Sequence, residues 1–336
     1  MKKLSIKLAA FASLLVTALH VNAQEFSNIY VFGDSLSDNG NLRAIAPDQT
    51  YGDRFTNGPV AVEVLAAGLG FTLTPSLHLL QTPPFGNNYA VAGAKAVDED
   101  GNEQTPDINL PTQVNAFLQI NGGQAPSDAL YIVLIGGNDI REAREIQAGE
   151  VFAANWWERL MINLEAGLSV KKAVDSQVAQ IKKLINAGAQ HILVANAPDI
   201  GAIPETSLIT AGLLAQSQTN QQKRIAGKLP EAVSRLSMTY NFVLDLSLAH
   251  VEAVNQMDIV EYDLFGYLAE QINNAGALGY TNTTEACLWV FSQGGTVNPA
   301  CNYPTAENFL FWDEIHPTAK AHQGAGLELL ELISTN

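Results

Sequence analysis

Short apolar runs alternate with longer amphipathic stretches along this chain. Residues 29–32 are apolar throughout and read as a buried strand. Residues 60–69 carry Val60, Val64 and Leu65 at helical spacing, which predicts a helix. Residues 88–91 form a short extended piece. Residues 110–120 predict a helix that opens with Pro111 near its start. Residues 130–135 are an apolar run stopped by Gly136-Gly137, the pattern of a second buried strand. The clearest helix is 169–187, where Val170, Val174, Val178, Ile181, Leu184 and Ile185 share one face and Gly188 ends it. A strand at 191–195, a long helix at 206–228, a strand at 242–246 and a final helix at 319–332 complete the pattern.

Strands joined by crossovers of roughly 10 to 20 residues predict an α/β fold, with a parallel sheet covered on both faces. No repeat and no Pro/Ser-rich linker divides the chain, so residues 24–336 read as one domain. Two loop-rich regions, 98–128 and 281–304, interrupt the rhythm. A third, 141–167, is helix-like and holds Trp156, Trp157 and Met161.

Residues 1–23 read differently. Lys2, Lys3 and Lys7 precede an apolar stretch, and Val21-Asn22-Ala23 is a small-residue cleavage site. This is the pattern of a secretory signal peptide cleaved after Ala23, and it predicts a secreted or periplasmic protein. The apolar run is shorter than the roughly 20 residues that span a bilayer, and no later segment is long and apolar enough. The chain carries 18 basic and 34 acidic residues. Removing the three leader lysines leaves 15 against 34, a net charge of −19. That balance argues against nucleic acid as a partner. Cys287 and Cys301 are the two cysteines. In an exported protein, two cysteines so close suggest a disulfide, which would stabilise the fold by roughly 3 kcal/mol.

The candidate chemistry lies at the ends of the predicted strands. Gly33-Asp34-Ser35-Leu36-Ser37-Asp38 follows the first strand, at the sheet edge where ligands bind in open α/β folds. Ala92-Gly93-Ala94 follows the short extended piece, and Gly136-Gly137-Asn138-Asp139 follows the second strand. Near the C-terminus, Phe311-Trp312-Asp313-Glu314-Ile315-His316-Pro317-Thr318 sets an aspartate three positions before a histidine. A serine hydroxyl needs a base within hydrogen-bond reach, and that base needs a third group to fix its tautomer. Ser35, His316 and Asp313 fit these roles. The oxyanion formed on attack needs fixed donors. The candidates are the backbone N–H groups of Ser35 and Gly93 and the side-chain amide of Asn138.

These four blocks, in this order and across nearly the whole mature chain, resemble the SGNH (GDSL) hydrolase family. The flanks around Ser35 and His316 look most like its branch of secreted bacterial lecithinases, haemolysin-type phospholipases and GDSL esterases. The resemblance implies a flavodoxin-like αβα sandwich with about five parallel strands. It also implies Ser35 as nucleophile, His316 and Asp313 as base and partner, and Gly93 and Asn138 in the oxyanion hole. The implied activity is hydrolysis of acyl esters, phospholipids included, with no metal or other cofactor. His322 lies six residues after His316, a poor spacing for two metal ligands on a helix, and reads as structural. Three alternatives stay open: transfer of the acyl group to an alcohol, sugar O-deacetylation, and a non-catalytic binding protein on the same scaffold. Trp156, Trp157 and Met161 are candidates for an apolar wall along an acyl chain. Packing of the inserted helix onto the body is the competing reading.

Overall fold

The computed structural model describes residues 26–47, 52–80, 85–98 and 107–335. The leader expected at 1–23 lies outside the described residues. Four parallel strands form the main sheet: β1 (Ile29–Gly33), β2 (Leu130–Leu134), β3 (His191–Ala195) and β4 (Ile259–Tyr262), in that spatial order. Their registers align Gly33 with Leu134, Leu134 with Ala195, and Ala195 with Tyr262. One edge therefore carries the carboxyl end of every strand. A further extended segment at 87–91 runs beside β1, where the Tyr89 N–H donates to Val31 O at 2.7 Å and the Val91 N–H donates to Gly33 O at 3.1 Å.

Alternation along the strands divides the core in two. Tyr131 and Val133 of β2 pack on one face with Phe32, Ile192 and Val194. Leu130, Ile132 and Leu134 pack on the other with Val31 and Leu193. The first face is covered by helices Leu110–Ile120, Trp156–Ala187 and Leu229–Asn255. The second is covered by Ala61–Gly68 and Ala319–Thr335. This is the αβα arrangement, since a sheet with two apolar faces needs helices on both.

Several elements differ from the sequence pattern. Residues 242–246 are helical, not a strand, and the fourth strand is β4. Within helix Leu229–Asn255, Tyr240, Leu244 and Leu248 are buried at helical spacing, whereas Phe242 and Leu246 are exposed. The run 242–246 is apolar at four of five positions and resembles a strand only over that short window. The helix expected at 206–228 is broken in two, Pro204–Gln216 and Asn220–Ala226. The Thr219 side chain accepts from the Gln222 N–H, and Gln222 accepts in return from the Thr219 N–H, so a capping box starts the second piece. The helix expected from residue 169 begins at Trp156, capped by the Asn155 side chain on the Glu158 N–H. Gly167 does not interrupt it. Residues 281–304 contain short paired segments, and Asn282–Ala286 runs parallel to Phe309–Phe311 outside the main sheet. Among the described residues, no helix is long and apolar enough to cross a membrane.

Candidate active site

β1 delivers Ser35 to the carboxyl edge of the sheet. Its last residue, Gly33, is held by Gln113. The Gly33 N–H donates to Gln113 Oε1 at 2.9 Å, and Gln113 Nε2 donates to Gly33 O at 2.8 Å. The chain then turns. The Ser37 and Asp38 N–H groups donate to Asp34 O, and the Leu36 N–H donates to Asp34 Oδ1 at 3.0 Å. Burial pushes the Asp34 carboxyl up to about 6, against the lowering effects of that N–H and of His316 and Arg141.

His316 arrives from the loop after Phe309–Phe311. Asp313 Oδ1 accepts from the N–H groups of Ile315 and His316, both at 2.7 Å, which closes a tight turn around the carboxylate. Asp313 Oδ2 lies 2.7 Å from His316 Nδ1, and His316 Nε2 lies 2.8 Å from Ser35 Oγ. With Nδ1–H donating to the carboxylate, Nε2 is left to accept the serine proton. Asp313 is fully buried, while Ser35 keeps 8% of its surface accessible and lines a pocket. The Phe55 ring packs 5.3 Å from the imidazole.

The Gly93 segment is clamped on both sides. Before it, the Ala92 N–H donates to Asp38 Oδ2 at 2.8 Å. The same Asp38 carboxylate accepts from the N–H groups of Gly40, Asn41 and Leu42, so it joins the serine turn to the glycine loop. After it, Ala94 O accepts from Asn138 Nδ2 at 2.9 Å, and the Ala96 N–H donates to Asp139 Oδ2 at 2.9 Å. Gly93 has φ +86, a left-handed conformation that favours glycine. Asn138 stands in the first turn of helix Gly137–Ala148, next to Gly136 at φ +119. A Cβ on Gly136 would lie 2.5 Å from the Tyr240 ring and hydroxyl, so that corner admits only glycine. One Asn138 N–H is spent on Ala94, and the amide has a second.

Two groups of residues lay hidden from the sequence reading. Arg141 Nη1 donates to Asn138 Oδ1 at 2.9 Å, and its Nε and Nη2 form a two-point ion pair with Glu205. Arg144 adds a third bond to Glu205 at 2.7 Å. The Glu205 N–H donates to Glu314 O at 2.7 Å, which ties this network to the histidine loop. Glu314 is itself fully buried. Its carboxylate accepts from the N–H groups of Val290, Phe291 and Ser292 and from the Ser292 hydroxyl. The acidic pair Asp313-Glu314 in the sequence was the only visible hint. Cys287 and Cys301 are disulfide-bonded, with Cα atoms 5.2 Å apart. The Cys287 and Leu288 N–H groups donate to Phe311 O and Trp312 O, so the bridged segment borders the histidine loop directly.

Trp156, Trp157 and Met161 do not line the pocket that opens at Ser35. All three are exposed, and the two indole rings meet edge to face at 5.5 Å. They occupy the first turns of a helix that buries Ala166, Val170, Ala173 and Val174 further along, so they project beyond the packed part. The wall expected of them is not at the serine. Instead the pocket is walled by helices Leu264–Asn273 and Ala319–Thr335. His322 is part of that wall. Burial depresses it to about 3, and its Nδ1 accepts from the Ala61 N–H at 3.2 Å, so it is a neutral structural residue.

A family model described as GDSL-like Lipase/Acylhydrolase matches residues 29–329. Lipase 1 of Photorhabdus luminescens is 26% identical over 96% of this chain, which spans 52% of that protein. Acetylajmalan esterase 2 of Rauvolfia serpentina is 27% identical over 89% of this chain and 88% of its own. A phosphatidylcholine-sterol acyltransferase of Aeromonas hydrophila is 27% identical over 96% of this chain and 94% of its own.

Proposed function

The chain belongs to the GDSL-like lipase and acylhydrolase family and is an ester hydrolase of that family, and we propose that it is a secreted serine esterase acting on lipid-like acyl esters through an acyl-enzyme. The observation that carries this reading is the continuous line from Ser35 Oγ to His316 Nε2 and from Nδ1 to the buried Asp313. His316 takes the serine proton as Oγ attacks the ester carbonyl carbon. Asp313 fixes the tautomer and stabilises the imidazolium that forms. The carbonyl oxygen becomes an oxyanion, bonded by the Ser35 and Gly93 N–H groups and the free Asn138 N–H. His316 then gives the proton to the departing alkoxide oxygen. A water molecule repeats the cycle on the acyl-serine, loses its proton to His316, and releases the carboxylic acid. Export rests on the leader pattern of residues 1–23, which predicts a mature N-terminus at Gln24.

The test is turnover of p-nitrophenyl acetate and butyrate by the parent and by Ser35→Ala. The variant is expected to fall to the uncatalysed rate with an unchanged melting temperature. A fluorophosphonate probe should label Ser35 alone. Retained turnover in Ser35→Ala, or labelling at another residue, overturns the assignment. The likeness to an acyltransferase supports a second outcome from the same intermediate. Adding a long-chain alcohol acceptor and measuring ester against free acid decides how the acyl-serine partitions.

A further inference from the structure

The pocket lined by Ser35 is also lined by Ile315 and by residues of two helices, Tyr267 and Leu268 of Leu264–Asn273 and Ala321, Ala325 and Leu329 of Ala319–Thr335. The surfaces facing it are almost wholly apolar. The Tyr267 hydroxyl is already spent on Ala321 O at 2.6 Å, and the Tyr262 hydroxyl at its margin is spent on Glu328. The open space is about 70 Å³. At the ~10–15 Å³ of such space that one water needs, it has room for roughly five to seven groups of that size. An apolar slot lined by the nucleophile and by buried core side chains suits a hydrocarbon chain and offers little to a sugar.

From this we propose that the slot is the acyl-chain site, and that the packing between helices Leu264–Asn273 and Ala319–Thr335 sets the acyl length the enzyme accepts. The proposal rests on the esterase reading of Ser35 and names its substrate class as esters of unbranched aliphatic acids. The chain enters carbonyl first in register with Ser35, and its tail runs past Leu268 toward Ala325. Each methylene that finds room raises kcat/KM by about fourfold, the factor expected for burying one CH₂. Beyond the filled length the gain stops. The exposed tryptophans play no part in this selection.

The experiment compares two ester series. One lengthens the acyl chain on p-nitrophenol from acetate to dodecanoate. The other lengthens the alkanol on acetate. Ala325→Leu narrows the slot and Leu268→Ala widens it, with Leu329→Ala as a second widening variant should Leu268→Ala not fold. Trp157→Ala serves as the control. Ala325→Leu is expected to lower the octanoate-to-acetate ratio of kcat/KM by at least about tenfold while acetate turnover persists. Leu268→Ala should move the optimum to longer acids, and Trp157→Ala should leave the profile unchanged. Folded slot variants with the parental profile overturn the proposal. A shift confined to the alkanol series, or carried by Trp157→Ala, overturns it too. In those cases acetate turnover and Ser35 labelling still uphold the esterase reading. A parent with no ester turnover overturns both.

Discussion

Arg141 holds Asn138 by its carbonyl oxygen, at 2.9 Å from Nη1 to Oδ1. The bond does two things. It decides which way the amide faces, because a flipped Asn138 would set its NH₂ against the guanidinium. It also draws electron density from the amide and makes the opposite N–H a better donor. Glu205 anchors the guanidinium at two further points, 2.6 and 2.8 Å away. The prediction is that Arg141→Met lowers kcat by about tenfold or more, with a smaller change in KM, because the affected bond strengthens in the transition state. Arg141→Lys should recover part of the loss. A role confined to packing would instead lower the melting temperature with kcat intact. In an Asn138→Ala background, which should cost about 10²–10³ in kcat, the second substitution is expected to add little.

The residues of the candidate site were legible in the sequence because each block sits beside a punctuation mark the backbone requires. Glycine ends β1, glycine opens the turn before Asn138, and Pro317 follows His316. β1, β2 and β3 were legible because each is carried by a short apolar run, whereas Glu261 interrupts β4 and hid it. What escaped was whatever depends on a distant partner. Arg141 and Glu205 are 64 residues apart, and neither has a motif around it. Gln113 reaches Gly33 across 80 residues. Phe242 and Leu246 failed for the opposite reason: a run of five residues, apolar at all but Asp245, carries too little information to separate a strand from a helix segment. The tryptophans sit not on a separate inserted helix but in the first turns of the long core helix Trp156–Ala187. Its first turns outrun the body of the protein, and no sequence pattern reveals how far a helix projects.

Glu314 secures the histidine loop to the disulfide-bearing segment. Four donors converge on its buried carboxylate, at 2.6 to 3.2 Å. Glu314→Gln keeps the shape but turns an NH₂ group toward backbone N–H groups. The expected loss is about 1–3 kcal/mol of stability, the cost of stranding buried donors. Because Glu314 stands between Asp313 and His316, slackening of its anchor should lower kcat along with stability. Thermal unfolding and turnover measured on the same samples check this. A variant with parental melting and parental kcat would show that the loop holds itself.

The disulfide acts on the same loop from the other side. It closes a span of 14 residues, for which the chain-entropy model gives a stabilisation of about 3 kcal/mol. The double replacement Cys287→Ser with Cys301→Ser is expected to lower the melting temperature by several degrees. The native protein, denatured without reductant, should show no titratable thiol. Two thiols in that titration would contradict the bond.

Asp139 links stability to pH through its place beneath the Gly93 loop. Burial pushes its carboxyl up to about 7, although the N–H groups of Ala96 and Val97 favour the ionised form. In an unfolded chain the group titrates near its ordinary value of 3.8. Between these values the folded state holds a proton that the unfolded state has lost. Stability from this group is therefore complete below about pH 4 and declines as pH rises toward 7. Asp34, raised to about 6, has the same sign. His322 and His78, depressed to about 3 and 4, have the opposite sign and are lost as pH falls. The melting curve of the parent alone would mix these groups with others, Glu261 among them, which is raised to about 7. The difference between Asp139→Asn and the parent isolates one, since asparagine keeps an oxygen for the Ala96 N–H and cannot ionise. The variant should gain on the parent steadily from pH 4 to pH 7, and the gap should level off above that. A gap that stays constant across the range would mean that Asp139 is ionised throughout and that its N–H donors outweigh its burial.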